Sequence, residues 1–309
     1  MRPANWKDVS ELIGIAAVVA ALLIIAPISH SQESMLSPGQ RVVLVTGSTG
    51  GLGRETARAL ARQGDHVIIH GRNEARGEEL VAEITAEGQG SARFYRADFG
   101  KLSEIRRLGE VILRDYERLN ILVNNAGIYL PNSVERGLSD DGYELHFQVN
   151  YLSGYILAEM LIPLLEASAP ARVVNVASAG QAPLEFDNLM LESGYEGGRA
   201  YAQSKLAQIM MTFSLADELS KRGVTINSLH PSTFMDTDMV FEAGVNPRSS
   251  VTTGRDALLR LVNDDVGTGK YFNIFEEARP HAQAYDADAV ARLMEISDDL
   301  VSEDVDEID

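Results

Sequence analysis

The sequence predicts an α/β fold: a doubly wound, mostly parallel sheet of about seven strands flanked by helices, preceded by a single hydrophobic N-terminal helix. Three observations carry that prediction. Short apolar runs recur from residue 41 onward and read as strands buried on both faces. Longer stretches with apolar residues at helical spacing stand between them. The first apolar run ends in a glycine-rich turn that opens a helix, TGSTGGLG at 46–53. Strands alternating with helices build right-handed βαβ units, and these assemble into such a sheet. Ligands of these sheets bind beyond the carboxyl ends of the strands, so functional residues are expected there.

The elements follow in order. RVVLVTG, from Arg41, is the first strand, and GRETARALARQG is a helix that stops at Gly64. DHVIIHG is the second strand and EARGEELVAEITAEG the helix after it. SARFYRADF is the third strand, followed by the helical KLSEIRRLGEVILRDYERL. NILVNNAG is the fourth strand, and a long helix is expected from about Asp140 to Ala167. ARVVNVAS is the fifth strand, and a loop from Ala179 to Gly198 leads to the helix carrying Tyr201. VTINSLHPS is the sixth strand, KYFNIF the seventh, and DADAVARLMEISDDLV the last helix.

Composition narrows the function. The chain has 309 residues and a formal charge of −18, which excludes the basic footprint of a nucleic-acid binder. It has no cysteine, so no disulfide, thiolate nucleophile or cysteine metal site. Its six histidines are scattered without a metal-binding pair, so no metal is expected. Residues 12–28, LIGIAAVVAALLIIAPI, are uncharged and near the short limit for a membrane span. An uncleaved anchor, a signal peptide and a buried core helix all fit, and Met35 could be an internal start. The anchor is the preferred reading, with membrane association through 12–28 and the catalytic domain on the cytoplasmic side. The expected organisation is therefore an anchor or signal plus linker at 1–34, one domain at 35–302 and an acidic tail at 303–309.

The spacing Gly47, Gly51, Gly53, with Ser48 and Leu52 between, lets the backbone approach a pyrophosphate and aims a helix N-terminus at it. This TGxxxGxG pattern resembles the short-chain dehydrogenase/reductase family, and the span from about 40 to 302 resembles its retinol-dehydrogenase-like branch. The resemblance implies a Rossmann-like sheet and a nicotinamide cofactor. The second strand ends in HVIIHGRN, with Gly71 where many NAD sites carry an acid and Arg72 after it. A guanidinium pairs with a 2′-phosphate, so NADP is preferred over NAD. The resemblance further implies that Asp98, with Phe99, meets the adenine, and that Asn124, Ala126 and Gly127 of NNAG line the cleft by backbone contact while Asn125 is structural.

The nicotinamide carries the hydride, so the protein must bind, orient and move a proton. Tyr201 and Lys205 lie one helical turn apart, and a cation there would lower a phenol's pKa. That is also the family's YxxxK motif, which makes Tyr201 the general acid/base and Lys205 its tuner. Ser178 ends the fifth strand, where its hydroxyl could hold a substrate oxygen. Asn150 sits inside a helix, an unfavourable place for an amide, and the resemblance implies that it bends the helix and relays protons through water to the lysine. It also implies that Pro231, Ser232, Thr233 and Thr237 meet the nicotinamide carboxamide, with Pro-Ser where the family usually reads Pro-Gly. His230 is read as structural.

The substrate is expected to enter between two variable segments that carry Phe186, Leu189, Met190, Phe234, Met239 and Phe241. A lipophilic carbonyl or alcohol suits such a lining; lid packing is the competing reading. A non-catalytic NADP sensor or scaffold is the alternative function, although such a protein would be expected to have lost Tyr201, Lys205 or Ser178. The resemblance admits a homodimer.

Overall fold

The computed structural model describes residues 36–302. The chain divides into two units, Met1–Ser37 and Pro38–Asp309. The expected hydrophobic helix at 12–28 and the acidic tail at 303–309 lie outside the described residues. Among the described residues, no helix is long and apolar enough to cross a membrane.

The second unit opens with β1 (Val42–Val45), α1 (Gly51–Arg62), β2 (His66–Gly71), α2 (Glu74–Glu87), β3 (Ser91–Arg96), α3 (Leu102–Asp115) and β4 (Ile121–Asn124). A π-helical turn, Phe147–Leu152, then runs into α4 (Ser153–Ala167) and is followed by β5 (Ala171–Val176). The chain continues through α5 (Gly197–Lys221), β6 (Val224–His230), α6 (Asp238–Glu242) and α7 (Val251–Asn263). It ends with β7 (Lys270–Asn273), β8 (Glu276–Glu277) and α8 (Ala287–Ser302). The strands form one sheet in the order β3-β2-β1-β4-β5-β6-β7-β8. All neighbours are parallel except β7 and β8. The order reverses between β1 and β4, which opens a crevice above their carboxyl ends.

Burial explains why these runs became strands. Every residue of β1 is 0% exposed, because helices cover both faces of the sheet. On one face Val43, Val45, Val67 and Ile69 pack with Leu60, Leu80 and Leu258. Each such side chain contributes about 1.5–3 kcal/mol by leaving water. Local signals set the helix ends. Asn73 caps α2 by accepting from the Arg76 N–H at 3.0 Å, and Gly88 closes it at φ +70°. The last helix is tied down by Tyr151, whose hydroxyl lies 2.7 Å from that of Ser297, and by Tyr155 bonding to Asp298.

Three expectations need correction. The sheet has eight strands, not seven: β7 stops at Asn273, Ile274 turns left-handed at φ +58°, and β8 returns antiparallel. The long helix does not start at Asp140. Gly142, at φ +83°, closes a turn between Ser139 and Tyr143, and regular α-helix begins only after the π-helical turn. Helix α7 was not read from the sequence, although the parallel step from β6 to β7 requires a crossover of this kind.

Two buried histidines make the fold acid-sensitive. The His66 ring bonds Ser91 Oγ at 2.7 Å and Tyr116 Oη at 2.9 Å. Burial, helped by Arg93 and Arg118, pushes its pKa down to about 4, and burial does the same to His70. A depressed pKa means that the unfolded chain binds more protons, so stability present above pH 6.5 is lost as pH falls toward 4. By pH 5 the loss is about 2 kcal/mol for each ring. The urea midpoint should therefore drop between pH 7.5 and 5, and His66→Gln should remove about half of that drop. An unchanged midpoint across this interval would refute the assignment.

Candidate active site

The carboxyl ends of β1, β2, β4, β5 and β6 surround a cleft of about 600 Å³. One end of it is the glycine loop. Gly47 and Gly51 take φ +64° and +51°, a region that side chains other than glycine's rarely enter. A Cβ on Gly53 would lie 2.4 Å from Gly47 O, so the turn closes only on glycine. Asn125 supports the loop from behind, donating to Thr46 O at 2.8 Å and Gly47 O at 3.2 Å. The Thr46 hydroxyl in turn accepts from the Asn125 and Ala126 amides. Helix α1 has no side-chain cap and no acid in its first turn. Its first amides are thus left for an anion, as a pyrophosphate requires.

The wall beyond the loop contains Arg72, Arg76, Asp98 and Phe99. Arg72 is exposed and makes no hydrogen bond or ion pair among the described residues. Arg76, one turn further, pairs with Asp238 across the cleft at 3.1 Å. A Cβ on Gly71 would lie 2.6 Å from the Thr49 methyl, so an acid does not fit there without a shift. The donors, the glycine cradle and the unpaired guanidinium fit a phosphorylated dinucleotide.

Ser178, Tyr201 and Lys205 meet at the inner end of the cleft. Tyr201 lies in the first turns of α5, just beyond the end of β5. Its pKa is raised, chiefly by burial; a hydrogen bond with Ser178 opposes the shift and Tyr129 adds to it. Ser178 Oγ also accepts from the Gly180 N–H at 3.0 Å. Lys205 Nζ lies 5.7 Å from the Tyr201 ring centre and donates to Val176 O at 2.8 Å and Gln208 Oε1 at 3.0 Å. Burial pushes its own pKa down to about 7. The cofactor-free cleft shows no lowering of the phenol's pKa by Lys205. Desolvation raises the phenol's pKa, and the Lys205 ammonium is turned to a carbonyl and an amide instead.

Asn150 falls in the π-helical turn. Its Oδ1 accepts from Ile128 N at 2.7 Å, and its Nδ2 donates to Ile128 O at 3.2 Å and Ser204 Oγ at 2.9 Å. It braces the cleft wall without facing the cavity. A methyl placed on Gly127 would lie 3.2 Å from this amide oxygen and 3.5 Å from Lys205 Nζ, so the two groups approach at that point.

Most expected cofactor residues line the cavity: Gly47, Gly51, Leu52, Gly53, Ala126, Gly127, Pro231, Ser232, Thr233 and Thr237 join those above. Two do not. Ser48 is fully buried, and its hydroxyl donates to Val45 O at 2.7 Å. Asn124 points into the sheet and donates to Asn175 Oδ1 at 2.9 Å, while Asn125 lines the cleft. His230 bonds Thr233 Oγ1 at 3.0 Å, and burial lowers its pKa.

On the substrate side, two of the six expected residues line the cavity. Phe234 and Met239 line it with Ile128, Tyr129, Val149 and Met235, whereas Phe186, Leu189, Met190 and Phe241 do not. The 179–198 loop is fastened elsewhere: Gln283 bonds both N and O of Leu184, and Gln181 accepts from His281 N. Phe186 sits beneath Arg292, and Phe241 is 58% exposed. Sequence reading missed His70, Arg76, Tyr129 and Gln208. Arg76 had a signal, standing one helical turn after Arg72; Tyr129, whose ring edge meets Tyr201 at 4.6 Å, had none.

Residues 41–246 match the protein family described as short chain dehydrogenase. The chain is 32% identical to human retinol dehydrogenase 11 over 286 residues, 87% of this chain and 88% of that protein. Against retinol dehydrogenase 12 of Bos taurus it is 40% identical over a shorter stretch of 195 residues, 62% of this chain and 60% of that protein. Among solved structures, an uncharacterized protein from Mycobacterium paratuberculosis superposes with a TM-score of 0.69 at 26% identity, covering 88% of this chain and 97% of that one. A short chain dehydrogenase of Shigella flexneri complexed with NADP gives 0.64 at 28% identity, over 76% and 97%.

Proposed function

The chain belongs to the short-chain dehydrogenase/reductase family, in its retinol-dehydrogenase-like branch, and from that premise we propose that it transfers a hydride between NADP(H) and the carbonyl or alcohol carbon of a lipophilic small molecule. The observation that carries this reading is one cleft with two equipped ends. A hydrogen-bonded Ser178–Tyr201 pair stands with Lys205 at the inner end, and a glycine loop with an unpaired Arg72 stands at the other.

The nicotinamide, when bound, supplies or accepts the hydride. The chain's own residues bind, orient and move a proton. Ser178 Oγ holds the substrate oxygen and Tyr201 Oη exchanges a proton with it. The raised pKa keeps Tyr201 protonated at neutral pH, which suits carbonyl reduction. Lys205 orients groups beside the phenol, and Asn150 braces the wall at Ile128. Ile128, Tyr129, Phe234 and Met239 offer an apolar wall, so retinoid-like aldehydes and alcohols are the first compounds to test. We assign catalysis to residues 35–302, membrane attachment to 12–28 and a cytoplasmic face to the domain. A topology reporter fused after Pro38 tests the last point, and an exported reporter would overturn it.

NADP preference rests on the unpaired guanidinium of Arg72 and on the absence of an acid at Gly71. Arg72→Ala should weaken NADPH binding about 10–100-fold and leave NADH within about twofold, the difference a lost charge-assisted pair makes. Fluorescence titration of both cofactors reads it; equal losses for the two would refute the role of Arg72. For the function itself, NADPH consumption by the full chain is measured against a panel of aldehydes and ketones. Absence of NADPH binding sinks the proposal; binding without turnover of any compound favours a sensor.

A further inference from the structure

We infer that His70 is a positioning residue of the dinucleotide cleft, its imidazole pinning the glycine loop to the adenine-side wall in a single tautomer. The inference rests on the reading of this cleft as a dinucleotide site.

His70 is the fifth residue of β2 and is 3% exposed. Its backbone and ring engage three separate walls. Thr46 N still donates to Val123 O, continuing the sheet beyond β1. The next amide on the loop, Gly47 N, leaves that ladder and donates to His70 Nδ1 at 3.1 Å. The Ser48 amide donates to His70 O at 2.8 Å, and His70 N donates back to Ser48 Oγ at 3.1 Å. On the far side of the ring, Nε2 lies 3.2 Å from Ala97 O, just past the end of β3. The ring face stacks on Phe99, with centres 4.1 Å apart and planes 17° from parallel.

These partners determine the proton. A carbonyl oxygen only accepts, so Nε2 must carry the hydrogen. A backbone N–H only donates, so Nδ1 must be a bare lone pair. The neutral Nε2–H tautomer alone satisfies both. A cation would set an Nδ1–H against the Gly47 N–H. The ring is therefore a poor acid or base here and a good spacer. It sets the distance between Gly47, where the chain turns at φ +64° toward the phosphates, and Phe99, which lines the adenine side. Burial independently favours the neutral ring. Ser48 and Asp98 approach it in space, yet neither offers a group that bridges both walls at once.

Two variants separate positioning from packing. Asn places Oδ1 close to where Nδ1 stands, so His70→Asn keeps an acceptor for Gly47 N and loses the link to Ala97. His70→Leu keeps bulk and loses both bonds. NADPH dissociation constants are measured by fluorescence for the wild-type chain and both variants. His70→Leu should weaken binding about 10–100-fold, the cost of leaving a buried loop donor unpaired, and His70→Asn should recover at least half of that loss on a logarithmic scale. The nitrogen-15 ring resonances of His70 in the cofactor-free wild type at pH 7 should show a bare Nδ1 and a protonated Nε2. Either an Nδ1–H tautomer or a charged ring overturns the inference. So does an affinity unchanged in His70→Leu, or equal losses in Leu and Asn. Failure of the wild type to bind NADPH instead overturns the reading of the cleft and leaves the tautomer result standing.

Discussion

Tyr201→Phe is expected to lower kcat by about 10²–10⁴-fold, the usual worth of a positioned acid or base, while NADPH affinity stays within about twofold. The phenol is half-buried and desolvation raises its pKa, so at neutral pH it stands protonated. Its hydroxyl interacts with Ser178, and both line the inner end of the cleft. Phenylalanine keeps the edge contact with Tyr129 at 4.6 Å and so preserves the wall while removing the proton. Single-turnover decay of NADPH absorbance isolates the chemical step, and a titration without substrate reports binding. Wild-type turnover in Tyr201→Phe would remove Tyr201 from the chemistry. A parallel collapse of NADPH binding would mean that the ring holds the cleft together instead.

How much of this was legible depends on the range of the signal. The glycine loop and the Tyr201–Lys205 pair are local spacings, and a loop or one helical turn translates them directly into geometry. Continuous apolar runs such as VVLV announce a strand covered on both faces wherever they occur. The direction of a side chain at a strand end is different. Neighbouring residues there point to opposite faces, so one step of register decides whether Asn124 or Asn125 meets the cleft. Ser48 was lost in the same way, its hydroxyl taken by Val45 O. Long loops are least legible. Nothing in Phe186 or Met190 reveals that Gln181 and Leu184 are fastened to residues about a hundred positions later. His70 was passed over because its role needs three partners from different parts of the chain.

Lys205→Met is expected to lower turnover and, at the same time, to make the stability of the folded chain less dependent on pH. The side chain is 4% exposed, and burial depresses its pKa to about 7. An unfolded lysine titrates near 10.4, so between those values the unfolded chain binds more protons and stability rises with pH. Below pH 7 the folded chain must hold a buried ammonium, at a cost on the order of 5 kcal/mol set by the pKa gap. Methionine fills similar space without charge. Against that gain, Val176 O and Gln208 Oε1 lose their donor, costing about 1–3 kcal/mol each. The net change at pH 6 runs from a loss of about 1 to a gain of about 3 kcal/mol, and it moves by about 3 kcal/mol against the variant by pH 9. Urea midpoints at the two values read the difference, and kcat read beside them should fall as for Tyr201→Phe. Equal stability changes at pH 6 and 9 would mean that Lys205 does not titrate in this window. If the prediction holds, the fold retains a destabilising cation at the one place where proton transfer needs it, the trade-off expected where activity and stability compete for the same residue.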